Sequence, residues 1–322
     1  MLLAGDVGGT KTLLGLFQRA PKRPVPVVIH IYSTHEFGGF GEILDRFERD
    51  VRPAPALEAV AVGVAGPVID QTARLTNIVW SISASEISAR YKTPCVRLLN
   101  DLEAMANSVS VLTGDELADL QTGEANPGGN AVVIAAGTGL GEAYLHRVNG
   151  RFQPVASEGG HADFASRTDR EIELLRALRD TYGRVEVEHV LSGPGIVNLY
   201  RFTHGVDVCD VLSGVPPGQE PAAISQGGLT GRCPRCVEVM DLFIGIYGAE
   251  AGNLALRGVA TGGVFVGGGI APKILPALQR GSFMSAFVEK GPMTQLLSRI
   301  PVKVILNADA GLVGAAVLAN EL

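Results

Sequence analysis

Three times along this chain an apolar, strand-like run ends in a glycine-rich turn, and that recurrence restricts the fold more than any other feature. Leu2-Leu3-Ala4 leads into Gly5-Asp6-Val7-Gly8-Gly9-Thr10-Lys11. Ala131 to Ala136 runs into Gly137-Thr138-Gly139-Leu140-Gly141, and Val264-Phe265-Val266 into Gly267-Gly268-Gly269-Ile270. Short buried runs bounded by turn signals read as strands. Helix-spaced segments lie between them, which predicts α/β architecture with a substantially parallel sheet. The first two copies share one plan, an apolar strand, a Gly-Thr turn and a second strand, and suggest an internal duplication. Glycine makes up 41 of 322 residues, against a usual share of about 7%. It follows no collagen period, so its clusters mark tight turns and places where backbone approaches a ligand.

The rest of the chain fits the same scheme. Val27 to Tyr32 reads as a third strand, and Phe40 to Arg49 as a helix with Ile43, Leu44 and Phe47 on its inner face. Ala59 to Ala65 and Val96 to Leu99 are short buried strands. A helix follows Asn100-Asp101, with Leu102, Met105, Ala106 and Val109 on one face. Thr168 and Glu171 form a capping-box pattern before Leu174, Leu175 and Leu178. Residues 203–235 are rich in Gly, Pro and Ser and read as a long connection or a mobile cap, while Cys236 to Leu256 reads as a helix. A last strand over 302–306 and a last helix, Gly311 to Ala319, resemble the N-terminal segment in composition. The expected division is a small α/β domain of residues 1–110 plus 300–322, and a large one of residues 111–299.

Composition removes several classes of function. Hydrophobic residues at 46% and charged residues at 19% support a sizeable core and exclude global disorder. Lys and Arg total 27 against 33 Asp and Glu, a formal charge of −6, so there is no broad cationic footprint for nucleic acid or anionic lipid. No apolar run reaches the roughly 18 residues of a membrane span, and no signal peptide is visible. Four cysteines do not make a disulfide scaffold in a chain this long. A cytoplasmic setting is expected.

Candidate chemistry gathers at the turns. In Asp6-Val7-Gly8-Gly9-Thr10 the backbone amides can meet phosphate oxygens, and Asp6 could hold Mg²⁺ directly or through water. An ordinary glycine hairpin is the alternative, and no Walker motif occurs. Gly137-Thr138-Gly139 and Gly267-Gly268-Gly269 are further phosphate turns or plain tight turns. Asp101 stands at the carboxyl end of a predicted strand, where open α/β sheets bind ligands, and could take a proton from a hydroxyl. Asn100 and Asp101 could equally be helix caps. Glu158 and His161, in Glu158-Gly159-Gly160-His161, can bond sugar hydroxyls or sit in a surface loop. Glu188 alone reads as a solvated charge, with Ser192 beyond it as a helix cap. Cys233-Pro234-Arg235-Cys236 has metal-ligand spacing but no second pair to complete it. With Cys209 the only other cysteine nearby, a structural or incidental role is expected, with zinc binding and redox chemistry as the alternatives.

Taken in order, these stretches resemble the bacterial-type ATP-dependent glucokinase family, of the sugar kinase, actin and heat-shock chaperone superfamily. The matching segments are Gly5 to Thr10, Asn100-Asp101, Ala136 to Gly141, Glu158 to His161, Val190-Leu191-Ser192-Gly193-Pro194-Gly195 and Gly267 to Ile270. The resemblance implies two ribonuclease-H-like lobes flanking a ligand cleft, often as a homodimer. It implies Asp101 as general base for the sugar 6-hydroxyl, with Asn100, Glu158, His161 and Glu188 holding other hydroxyls. Gly8, Gly9, Thr10, Gly137, Thr138 and Gly139 then belong to phosphate turns, and Gly267, Gly268 and Gly269 to the adenosine motif. ATP and Mg²⁺ are the implied cofactors and glucose the implied substrate. Lys11 departs from the pattern, since many such glucokinases carry Asn there. It resembles the related repressor/kinase family, whose zinc-binding Cys-x-Cys-Gly-x-x-Gly-Cys cluster this chain lacks. Three alternatives stand beside glucose phosphorylation: a kinase for another hexose or N-acetylhexosamine, a non-catalytic sugar sensor, and a filament or chaperone ATPase. The last has no use for the hydroxyl-binding set.

Overall fold

A computed structural model describes residues 1–75 and 80–322 of the chain. It divides into two units. One comprises Met1–Thr113, Phe152–Ala156 and Asn307–Leu322, and the other Gly114–Arg151 and Ser157–Leu306.

The first unit is built on a five-stranded sheet of β1 (Leu2–Val7), β2 (Lys11–Gln18), β3 (Val25–Ser33), β4 (Ala59–Val64) and β5 (Val96–Asn100). Its order is β3-β2-β1-β4-β5. The hairpin strands β1 and β2 are antiparallel, and β1, β4 and β5 run parallel. Residues two apart share a face of a strand, and this sorts the core. Leu3, Val7, Val60 and Val62 join one cluster with Ile43, Leu44 and Phe47 of α1 (Phe40–Asp50) and Ile87 of α2 (Ala84–Tyr91). Leu2, Ala4, Ala59 and Ala61 form the other with Leu312, Ala315, Ala316 and Ala319 of the C-terminal helix Ala310–Glu321. The second face is alanine-rich, so that helix lies close to the sheet.

The same closeness corrects one expectation. In α3 (Asp101–Ser108) the buried residues are Ala104, Ala106 and Ser108. Leu102 and Met105 are only half-buried. The neighbour is the small-residue C-terminal helix, where Gly314 lies against the Ala104 carbonyl. Small side chains, not large ones, face that contact.

In the second unit the strands β6 (Leu117–Gln121), β7 (Ala131–Ala136), β8 (Leu140–Val148), β9 (Gly263–Gly267) and β10 (Val302–Ile305) run in the order β8-β7-β9-β10-β6. β7 and β8 form an antiparallel hairpin, and β7, β9 and β10 are parallel. The succession β2-β1-β4-β5 of the first unit is thus repeated as β8-β7-β9-β10, as a duplication requires. β10 lies in this second sheet, so only the helix after it joins the first unit.

The second unit also holds α4 (Asp169–Tyr182), α5 (Gly193–His204), α6 (Glu220–Leu229) and α7 (Pro234–Gly258). Thr168 caps α4 through the Glu171 amide, and Ser192 caps α5 through the Gly195 amide. The segment expected to be a connection or cap carries α6, a ten-residue helix. α7 is long and apolar enough to cross a membrane, yet 72% of its most apolar window is buried within the protein. It forms the middle of the second core, with Phe243, Tyr247 and Leu254 fully buried.

Candidate active site

In the first unit the parallel strands finish together. Val7, Val64 and Asn100 stand abreast at the ends of β1, β4 and β5. The Gly8–Thr10 turn and the start of α3 therefore share one edge of the sheet. The turn is closed by a hydrogen bond from the Gly8 amide to the Lys11 carbonyl, 3.0 Å. Thr34 braces it, its hydroxyl donating to the Gly8 carbonyl at 2.9 Å. Gly9 is half-buried, while Thr10 and Lys11 are exposed.

Asn100 caps α3: its Oδ1 accepts from the Leu102 amide at 2.9 Å and its Nδ2 donates to the Gly66 carbonyl at 3.2 Å. The Leu102 amide also meets Asp101 Oδ1, at 2.9 Å. Gly63 lets this corner form, since a Cβ there would stand 2.8 Å from that of Ala104 and 4.0 Å from Asp101 Cα. Asp101 is thus both a first-turn acid of α3, as helix electrostatics favour, and a carboxylate at the strand ends.

Asp6 lies on the same edge, at the start of the C-terminal helix. A Cβ on Gly311 would press within 2.8 Å of Asp6 Oδ2. Burial pushes the Asp6 carboxyl up to about 6; Asp309 pushes the same way and Lys11 opposes. A desolvated carboxylate with a second acid nearby suits a hard cation, which takes oxygen ligands and keeps several waters.

In the second unit two glycine turns are tied together from beneath. The Ala136 amide donates to the Tyr247 hydroxyl at 3.2 Å, and that hydroxyl reaches the carbonyls of Ile134 and Gly267, each at 3.4 Å. Gly268 has φ of 83° and abuts the Ala136 carbonyl. Only glycine tolerates both that conformation and that contact. The Gly193 amide donates to the Gly137 carbonyl at 2.8 Å, which brings the start of α5 to the first turn. Around these turns lies a cavity of about 760 Å³, within the usual range for small-molecule sites, about 300–1,000 Å³. Gly137, Thr138 and Gly269 line it, with Pro194, Gln226 and Lys273. Sequence reasoning missed the α6 residues and Lys273, because no spacing ties them to the turns. A second cavity, about 710 Å³, lies by Glu124, Thr261 and Arg299 and contains none of the expected site residues.

Glu158, His161 and Glu188 gather beside the first of these turns. Glu188 Oε2 accepts from the Leu140 amide at 2.8 Å. It is therefore half-buried and bonded, unlike the solvated charge its local sequence suggests. Glu158 and His161 open and close one 3-10 turn, and both are exposed. His161 Nδ1 meets Glu186 Oε2 at 2.7 Å, which leaves Nε2 as the ring atom available to a ligand. That bond, with the charges of Glu188, Glu186 and Glu158, raises the His161 pKa above its ordinary value. Glu186 is a second residue the sequence did not single out. It is also bonded to Arg184, 2.9 Å, and caps the turn carrying Glu188.

A family model described as glucokinase matches residues 3–322. The glucokinase of Synechocystis sp. is 38% identical, over 99% of this chain and 98% of that protein. The crystal structure of a glucokinase from an Antarctic psychrotroph superposes with a TM-score of 0.87 at 30% identity, covering 100% of this chain and 99% of that one. A ROK family glucokinase from Streptomyces griseus, solved with glucose and AMPPNP, shares the fold at a TM-score of 0.67 and 23% identity, over 100% and 99% of the two chains. The α/β sugar-kinase fold expected from the motifs is the one found, and this chain belongs to the glucokinase family.

Proposed function

We propose that this chain transfers the γ-phosphoryl group of ATP to the 6-hydroxyl of glucose, releasing glucose 6-phosphate and ADP, with Asp101 as general base. The observation that carries the nucleotide half is the cavity at the paired glycine turns, lined by Gly137, Thr138 and Gly269. The glycine turns in its lining suit phosphate oxygens, and the apolar side chains of α5 and α6, Pro194, Ile196, Val197 and Leu229, suit a base.

Phosphoryl transfer needs little covalent help; positioning and charge stabilisation do most of the work. In this reading Asp101 accepts the proton of the attacking hydroxyl. Asn100, Glu158, His161 and Glu188 hold the other hydroxyls. His161 donates through Nε2 and the carboxylates accept, so a misplaced hydroxyl leaves a polar group unpaired. Gly8, Gly9 and Thr10 join Gly137 to Gly139 at the phosphates, with Lys11 beside them. Magnesium supplies charge neutralisation at the phosphates when bound, and Asp6 would hold it directly or through water. A homodimer and a cytoplasmic setting belong to the same reading. Val25, Val27, Ile29 and Ile31 stand exposed in alternation on β3, an edge strand, and support the dimer.

ADP release from Mg-ATP tests the proposal across glucose, mannose, fructose, glucosamine and N-acetylglucosamine, each against a no-sugar blank. Glucose should stimulate turnover well above the blank. Asp101→Ala should lower kcat by about 10²–10⁴-fold and keep glucose binding. Near-normal turnover in that variant would remove Asp101 from its role. Glucose binding without stimulation by any sugar would make the protein a sensor.

A further inference from the structure

His204, Cys209, Cys233 and Cys236 converge inside the second unit, although the sequence spreads them over three segments. His204 ends α5, Cys209 precedes a single 3-10 turn, and Cys233 caps α7 with Cys236 in its first turn. Cys209 Sγ is 3.9 Å from Cys236 Sγ. His204 Nε2 is 3.5 Å from Cys233 Sγ and 4.0 Å from Cys236 Sγ. All four donor atoms lie within 4.8 Å of one another. A tetrahedral zinc with Zn–S near 2.3 Å and Zn–N near 2.0 Å separates neighbouring donors by about 3.5–3.8 Å. The spacings of 3.5, 3.9 and 4.0 Å approach those edges, and the sulfur–sulfur distance exceeds the roughly 2 Å of a disulfide. All four cysteines of the chain are free thiols.

The surroundings prepare these atoms as ligands. His204 Nδ1 lies 3.0 Å from the Tyr200 carbonyl, which accepts a hydrogen bond from it and turns the Nε2 lone pair toward the sulfurs. The imidazole is stacked on the Tyr200 ring, centroids 3.8 Å apart. The Tyr200 hydroxyl accepts from the Cys209 amide at 3.0 Å, which fixes the loop bearing that thiol. Cys233 and Cys236 stand at the amino end of α7, one turn apart on the same helix start. Arg235 donates to the His204 carbonyl at 3.2 Å and adds positive charge beside the cluster. His204, Cys233 and Cys236 are buried and Cys209 half-buried. Four protein donors close the coordination shell, which distinguishes a structural site from a catalytic one.

We propose that these four side chains form a structural Cys₃His zinc site. α6 lies in the chain between Cys209 and Cys233, and contributes Glu220, Pro221, Ser225, Gln226 and Leu229 to the cavity described above. The metal thereby anchors both ends of the segment that forms one cavity wall. The site stands whether or not the kinase reading does.

Elemental analysis of the full chain, purified without a metal-affinity step from zinc-supplemented cells, should find one zinc per chain. Cobalt exchanged into the site should show the visible bands of a tetrahedral thiolate complex. Cys209→Ser should lose most of the zinc, and Cys95→Ser, altering the one cysteine outside the cluster, should keep it. Where Cys209→Ser misfolds by circular dichroism, the metal content and cobalt spectrum of the unaltered chain decide. Less than one zinc per several chains, an octahedral cobalt spectrum, or a native disulfide among Cys209, Cys233 and Cys236 by mass spectrometry would overturn the proposal.

Discussion

Glu142 gives the sharpest quantitative test of the physical reading. It sits on β8, fully buried, and neither carboxyl oxygen has a hydrogen-bond partner among the described residues. Gly159 lies directly against its Oε2, where any Cβ would collide. The charged groups facing it come from α7: Glu250, which repels it, and Arg257, which attracts it. Glu250 is already bonded to Arg257 and Asn253, at 2.8 Å each, so little of Arg257's charge is left for Glu142. Burial, reinforced by Glu250, pushes the Glu142 carboxyl up to about 7 from an ordinary 4.5. Each tenfold change in proton affinity is worth about 1.4 kcal/mol, so ionising Glu142 in the folded chain costs about 3 kcal/mol. Between those two values the folded chain holds a proton that the unfolded chain has released. This contribution to stability is therefore full below pH 4.5, falls as the pH rises, and is gone above 7. Glu142→Gln keeps the shape and removes the charge. It should gain up to about 3 kcal/mol at about pH 8.5, roughly 4 °C in Tm for a chain this long, and almost nothing near pH 4.5. Thermal and urea melts of both proteins at the two pH values measure the difference. An equal gain at both would refute the electrostatic argument and point to side-chain fit instead.

Three other perturbations follow from single contacts. Asp6→Asn removes a carboxylate that burial disfavours, so it should raise Tm above about pH 6 and converge with the parent below pH 4, while lowering kcat; paired melts and ADP-release assays check both. Gly63→Ala forces the start of α3 away from β4 and should cost about 1–3 kcal/mol of stability, with kcat falling further than glucose affinity because Asp101 moves. Tyr247→Phe leaves the Ala136 amide without its hydroxyl partner, so about 1–3 kcal/mol should be lost in melts and KM for ATP should rise more than KM for glucose.

How much of this was legible in the sequence depended on whether the determining contact was local. β4 and β7 are buried on both faces, so each had to be a continuous apolar run and could be read as such. Ser192 and Thr168 announced α5 and α4 because a cap bonds to an amide three residues away. α6 was hidden for the opposite reason. Gly227 and Gly228 look like helix breakers, yet Gly228 lies against the Cys236 carbonyl and the Met240 side chain, where a larger residue would not fit. Glu188 bonds to an amide 48 residues earlier, and His161 to a carboxylate 25 residues later. No periodicity reports contacts of that kind. Only the recurring family motifs pointed to these residues, and they pointed to none of α6, Lys273 or Glu186.

The repeated strand order explains why the two turns of the duplicated plan are supported so differently. Each unit places a glycine hairpin at the carboxyl end of its first parallel strand, where strand ends leave amides unpaired. Beneath the second turn stands Tyr247, a neutral side chain that satisfies buried amide and carbonyl groups at little electrostatic cost. Beside the first stands Asp6, whose ionised form burial disfavours. A structural role alone would be served better by asparagine, which fills the same volume without a desolvated charge. Lys11 offsets only part of that cost, and the proposed divalent cation would offset more, because hard cations take oxygen ligands. The same argument does not reach Glu142, which Gly159 covers and which burial lets keep its proton up to about pH 7. Of these two destabilised carboxyls, one stands at the strand ends, where the proposed function needs it, and the other lies beneath the turn that carries His161, so on that proposal removing the charge should cost activity only in the first.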